Sequence, residues 1–229
     1  MSKPPPVELD FSRKYDHEHS LNYLHKHQNG WARRLSHWRD VQLARRALKW
    51  ADDPEVVLDL PCGAGRFWPL LAEQANRVIL AADHSADMLN VAISAHLPEI
   101  VARVKTFQTS AFAIDLSANA VDCIFCIRLL HHVQIAENRL LILREFHRVT
   151  RDTVILSLWV DGNYGAWKRR RLEQRRVARG REGQNQNRFI VPQTVIETEF
   201  RQAGFQIVAY QDFLPYYAMW RVYTLRKIA

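Results

Sequence analysis

The sequence predicts an α/β fold, a doubly wound seven-stranded and mostly parallel sheet, in one domain covering residues 1–229. Three observations predict it. Between Val56 and Val160, short apolar runs alternate with helix-periodic stretches, the pattern of strands joined by right-handed helical crossovers. The first of these runs enters a turn with glycines at alternate positions, Gly63 and Gly65, just before a helix. Near the end, Phe205 to Tyr210 and Met219 to Arg226 are strand-like, and only Gln211 to Ala218 separates them. That is too short for a helical crossover, so the last strand is antiparallel.

The elements follow in order. Residues 1–12, with three consecutive prolines from Pro4 to Pro6, read as a flexible tail and as neither a secretory leader nor an anchor. Residues 13–51 read as N-terminal helices. Leu21, Leu24, Trp31, Leu35 and Trp38 recur at spacings of three and four, with Gly30 dividing two helices. A third, about Asp40 to Ala51, turns Val41, Leu43, Ala44, Ala47 and Leu48 inward and is stopped by Asp52-Asp53-Pro54. Residues 52–160 form the core. Its strands are Val56 to Leu60, Arg77 to Ala82, Val101 to Gln108, Val121 to Ile127 and Thr153 to Val160. Its helices are Arg66 to Ala75, Ser85 to His96 with Ser85 as N-cap, and Ile135 to Val149. Residues 161–195 read as a basic insertion, and 196–229 as a C-terminal helix and hairpin.

Nearly half the residues, 48%, are hydrophobic, enough for a sizeable core. No stretch approaches the roughly 20 apolar residues that span a bilayer. Three cysteines argue against a disulfide framework and suit a reducing cytoplasm. Cys123 and Cys126 are three apart on a strand-like run, so they point to opposite faces of a sheet and read as core. The net charge of +8 favours an anionic partner.

The chemistry concentrates in Val56-Val57-Leu58-Asp59-Leu60-Pro61-Cys62-Gly63-Ala64-Gly65-Arg66-Phe67. Glycine lets a backbone approach a ligand closely, and a helix N-terminus favours negative groups. Asp83 ends the next strand, where an acid can take both hydroxyls of a ribose. Ser85-Ala86-Asp87-Met88 follows, with Met88 in the first helical turn. A hydride-transferring nucleotide site would want the spacing G-x-G-x-x-G, and Pro61-x-Gly63-x-Gly65 lacks it.

These segments resemble the motifs of the class I S-adenosylmethionine-dependent methyltransferase family, from about Val56 to Val160 and more loosely into the hairpin. The resemblance implies a Rossmann-like methyltransferase fold with N-terminal lid helices, and S-adenosyl-L-methionine as donor, leaving S-adenosyl-L-homocysteine. It implies that Asp59, Gly63 and Gly65 cradle the methionine part. Asp83 would hold the ribose, with His84 beside it and Met88 flanking the adenine. Pro61 replaces the usual first glycine, a familiar variant. The acid that often meets the adenine amino group falls on Ser110. Its hydroxyl can still accept a hydrogen bond, and the amide of Ala111 or Phe112 can make the other contact. Ile127-Arg128-Leu129-Leu130-His131-His132-Val133 also looks like a segment of the family.

Methyl transfer from a sulfonium asks mainly for alignment, sometimes with removal of a proton. His131 is a candidate general base, or a residue that packs against the cofactor. Arg128, counted with the cofactor residues, is also positioned to bind an anionic acceptor or to pair with a nearby carboxylate. Arg13, Tyr15, Tyr23, Arg33 and Arg34 are candidates to meet the donor carboxylate. His17, His19, His25 and His27 lack partners in ligand spacing and read as surface residues, with no metal expected. Lys168 to Arg181 holds eight basic residues and one acid, Glu173. It reads either as a solvated helix or as an acceptor grip led by Arg169, Arg170 and Arg171. Trp159, Tyr164 and Trp167 could stack on an acceptor or simply pack. The expected function is a methyltransferase for a small-molecule, lipid or glycan acceptor, of anionic character. The alternatives are an RNA (tRNA) methyltransferase, less favoured because no RNA-binding module is appended, and a non-catalytic cofactor-binding interaction protein.

Overall fold

The computed structural model describes residues 31–178 and 187–228. The elements are α1 (Trp31–Trp50), β1 (Val56–Asp59), α2 (Trp68–Leu71), β2 (Val78–Asp83), α3 (Ala86–Ala95), α4 (Pro98–Val101) and β3 (Val104–Gln108). There follow β4 (Val121–Cys126), a 3₁₀ turn (Leu130–His132), α5 (Ala136–Val149), β5 (Thr150–Trp159), α6 (Tyr164–Val177), α7 (Gln193–Gln202), β6 (Phe205–Asp212) and β7 (Trp220–Lys227). The seven strands form one sheet in the order β3-β2-β1-β4-β5-β7-β6. β1 to β5 pair in parallel. β7 inserts between β5 and β6 and is antiparallel to both, as the short connection requires.

Alternation along each strand builds a core on both faces. Leu58, Ile124, Cys126, Val154 and Leu156 pack on one face with Phe146 of α5 and Phe200 of α7. Val57, Ile79, Cys123, Phe125 and Ile155 pack on the other with Leu43, Ala44, Ala47 and Leu48 of α1. Cys123 and Cys126 therefore lie on opposite faces, fully buried, and burial pushes the Cys123 thiol up to about 12. That favours inert core thiols over redox chemistry.

Three local expectations need correction. Asp40 does not begin a new helix: α1 runs unbroken from Trp31 to Trp50, because the Asp40 carboxylate is taken by arginines of the core instead of capping a helix. The helix expected over Arg66 to Ala75 shortens to Trp68–Leu71. The carbonyls of Leu71, Ala72, Gln74 and Ala75 accept from the side chains of Arg77 and Arg103, which satisfies them without a further helical turn. The strand expected from Val101 begins only at Val104, because Pro98–Val101 forms a short helix. The tail, the Gly30 break, Arg13, Tyr15, Tyr23, the four histidines from His17 to His27, Arg179 and Arg181 lie outside the described residues.

Candidate functional site

A cleft of about 150 Å³ opens at the carboxyl edge of the parallel strands, where ligands of doubly wound sheets bind. Its walls include Asp59, Gly63, Asp83, His84, Met88, Ser110, Ala111, Phe112 and Arg128, all expected from the sequence, together with Arg66, Thr109 and His132.

The floor is built by the turn after β1. The Cys62 N–H donates to the Ala82 carbonyl (2.9 Å), docking the turn on β2. Gly63 adopts φ +53°, and its N–H donates to Asp83 Oδ2 (3.0 Å). Asp83 Oδ1 accepts from the Ser85 N–H (3.0 Å), and Ser85 Oγ accepts from the Met88 N–H (3.3 Å) to cap α3. One carboxylate thus ties the glycine turn to the start of α3, and burial raises it above the usual carboxylate range. Gly65 does not line the cleft. At φ +69°, a Cβ there would lie 2.7 Å from the Trp68 ring and 2.8 Å from His96 Nε2, so packing demands its glycine.

Asp59 is buried, and its Oδ2 has no hydrogen-bond partner. Burial first, and the neighbouring Asp83 second, push it well above the usual carboxylate range. Two carboxylates in one low-dielectric wall favour a cationic ligand there. Opposite, the turn after β3 is held by Ser110 Oγ, which accepts from the Phe112 N–H (3.2 Å). With that amide engaged, Ala111 becomes the better amide of the pair for a ligand.

At the rim the structure adds a residue that carried no motif. Asp40 Oδ2 accepts from Arg66 Nη2 and from Arg128 Nη2, both at 2.6 Å. Arg128 sits at φ +69°, a strained position for a non-glycine residue. Its N–H is held by Ser157 Oγ (2.9 Å), and its guanidinium lies 4.8 Å from the centroid of the Trp220 ring. Of the two readings of Arg128, the carboxylate pairing is the one realised in this structure.

His131 is only 2% exposed and does not line the cleft. It packs among His132, Trp159 and Trp220 with ring centroids at 3.9, 5.3 and 4.7 Å, and its Nδ1 is buried without a partner. Burial pushes it down to about 2. Of the two readings of His131, base or packing residue, this structure shows a ring packed among aromatic neighbours. His132 reaches the wall instead, its Nδ1 2.5 Å from the Asn187 carbonyl, and burial lowers it to about 4. Trp159 is likewise buried, under Arg169 at 4.8 Å, so of its two readings this structure shows packing.

The three arginines of the island part ways. Arg169 pairs with Glu173 (3.0 Å), Arg170 pairs with Asp161 (3.0 Å), and Arg171 lies over Trp167 at 5.4 Å. Tyr164 and Trp167 are exposed and stack on each other. None of these five residues lines the cleft.

The two histidines make a pH prediction. In the unfolded chain each titrates near 6.5, whereas the fold holds both neutral. Below 6.5 the unfolded chain binds protons that the folded chain refuses, so these rings lower stability as pH falls, down to about 4 for His132 and about 2 for His131. Asp59 and Asp83, raised in the fold, act in the opposite sense in acid. The difference between the wild type and His131→Phe isolates the ring. That difference should be constant above pH 7 and then move in favour of the variant by up to about 1.4 kcal/mol per pH unit. Urea titrations across pH check it, and a gap independent of pH would refute it.

Residues 57–153 match the family model of the methyltransferase domain. No curated protein matches the chain. Among solved structures, the chain is similar to the magnesium protoporphyrin IX methyltransferase of Synechocystis PCC 6803 with bound S-adenosylhomocysteine. The TM-score is 0.73 at 16% identity, covering 95% of this chain and 98% of that one. The same enzyme with bound S-adenosylmethionine gives a TM-score of 0.69 at 15% identity, covering 97% of this chain and 100% of that one. A methyltransferase of Methanosarcina mazei gives 0.62 at 15% identity, covering 76% of this chain and 92% of that one. Residues 57–153 thus carry a methyltransferase-domain match, and the whole chain shares the seven-stranded fold of these S-adenosylmethionine-dependent methyltransferases.

Proposed function

We propose that the cleft binds S-adenosylmethionine and that the enzyme transfers its methyl group to an anionic acceptor, a small molecule, lipid or glycan. The fit of the donor rests on the wall described above. Asp59 Oδ2, buried without a partner, suits the ammonium of the methionine part. Asp83 suits the ribose hydroxyls with its remaining lone pairs. Gly63 lets the backbone come close, and Met88, Ser110, Ala111 and Phe112 frame the adenine. When bound, the donor supplies a methyl group on a sulfonium, already activated. The residues of the chain bind, orient and exclude water.

The observation that carries the acceptor class is the arginine pair at the rim. Arg66 and Arg128 converge on one carboxylate oxygen, that of Asp40. A rim that holds a carboxylate of its own chain has the donors to hold one from an acceptor. The neighbour named as a magnesium protoporphyrin IX methyltransferase is in keeping with a small-molecule acceptor. Acceptor turnover tests it. Arg128→Met should raise the KM of a carboxylate or phosphate acceptor by about tenfold or more and change S-adenosylhomocysteine affinity less than about twofold. An equal loss of cofactor affinity would move Arg128 to the donor site. Turnover of RNA alone would overturn the acceptor class, and tight cofactor binding without any turnover would make the chain a binding module.

A further inference from the structure

Outside the cleft, two helix stripes joined through one loop carry exposed aromatic rings beside cations. On α6, Tyr164, Trp167, Lys168, Arg171 and Arg175 follow at spacings of three and four, so they share one stripe. Ala166, on the opposite side, is the buried residue of this helix. Trp167 is 54% exposed with Arg171 over its ring. Tyr164 stacks on Tyr217 (5.5 Å), in the loop between β6 and β7. That loop is fastened to α6 by the N–H groups of Tyr164 and Gly165, which donate to the carbonyls of Tyr216 and Tyr217 (2.9 Å each). The same loop is fastened to α1, because Arg39 Nε donates to the Phe213 carbonyl (3.0 Å). On α1, Trp31, Leu35 and Trp38 again form one stripe, with Trp31 88% exposed and Arg34 beside its ring. Asp40, which closes on the cleft arginines, lies on the other face of that helix.

A patch of exposed tryptophan, tyrosine and leucine marks a surface that meets something. The rings have polar tips, which settle at the level of lipid headgroups. Lysine and arginine beside them are attracted to anionic headgroups. Stacked bases would also use rings and cations, but they offer nothing to Leu35 and Leu172, both exposed. We propose that this surface of α1, the β6–β7 loop and α6 docks the enzyme peripherally on an anionic lipid bilayer. Among the described residues no helix is long and apolar enough to cross a membrane, so contact is with the surface. The outer face of α1 would rest on lipid while its inner face reaches the cleft.

The experiment sediments the full chain with vesicles of phosphatidylcholine alone and of phosphatidylcholine mixed with phosphatidylglycerol, at low and high salt. Partitioning should be at least about tenfold stronger on the anionic vesicles and should collapse at high salt. Two variants should each lower it by about tenfold or more: Lys168→Glu/Arg171→Glu/Arg175→Glu, and Trp38→Ser/Tyr217→Ser. S-adenosylhomocysteine affinity, measured by calorimetry, should be unchanged in both, which verifies folding and reads the cofactor site independently of the surface. Absent or charge-independent partitioning overturns the proposal, as does partitioning that both variants leave intact. Tighter binding to a single-stranded RNA oligonucleotide, abolished by the same variants, assigns the surface to nucleic acid instead. Self-association that the variants abolish assigns it to a second copy.

Discussion

Asp83→Ala should weaken S-adenosylhomocysteine binding by about 1.5–3 kcal/mol, the cost of removing a charged hydrogen-bond partner, or roughly ten- to a hundredfold. The structure gives this residue two tasks. Its carboxylate stands on the cleft wall, and it also accepts from the N–H groups of Gly63 and Ser85. The variant therefore loses the proposed ribose acceptor and loosens the link between the glycine turn and α3. Asp83→Asn separates the tasks, since its amide oxygen can still accept one of the two N–H bonds. It should regain part of the thermal stability while recovering less of the affinity. Calorimetry on the folded proteins decides this, and unchanged affinity in Asp83→Ala would remove Asp83 from the site.

The second large effect concerns the wall behind the histidines. Arg139 Nε and Nη2 donate to the two carboxylate oxygens of Glu199 (2.8 and 2.6 Å), with both side chains 5% exposed. Arg139 Nη1 donates to the carbonyls of Val133 and Gln134 (3.0 and 2.7 Å), closing the loop after His132. The pair thus binds α5 to α7 and pins the segment that follows the cleft residue His132. Arg139→Met strands a buried carboxylate and should cost about 3–5 kcal/mol, a large part of the total stability of a domain, about 5–15 kcal/mol. Arg139→Met/Glu199→Leu removes both charges and should recover most of the loss. Urea unfolding measures both. A single variant as stable as the wild type, or a double variant as unstable as the single one, would contradict the buried pair.

Much of this was present in short stretches of sequence. Alternation of strand and helix periods, the glycine turn, the acid at the end of β2, Ser85 as the cap of α3 and the tight antiparallel hairpin all depend on residues near one another in the chain. Each is set by backbone sterics, side-chain period or a local hydrogen bond, which neighbouring residues encode. The tertiary structure alone decided the partners. Asp40 meets Arg128 across 88 positions, and no local pattern distinguishes that acid from any other on α1. His131 and His132 are adjacent, yet one points into an aromatic cluster and the other to the cleft. Arg169, Arg170 and Arg171 are consecutive, yet one stacks on Trp159, one pairs with Asp161 and one joins the outer stripe. Successive residues on a helix or turn face different directions. Which direction is the interior is settled only when the sheet closes and brings distant partners within about 3 Å, the reach of a hydrogen bond.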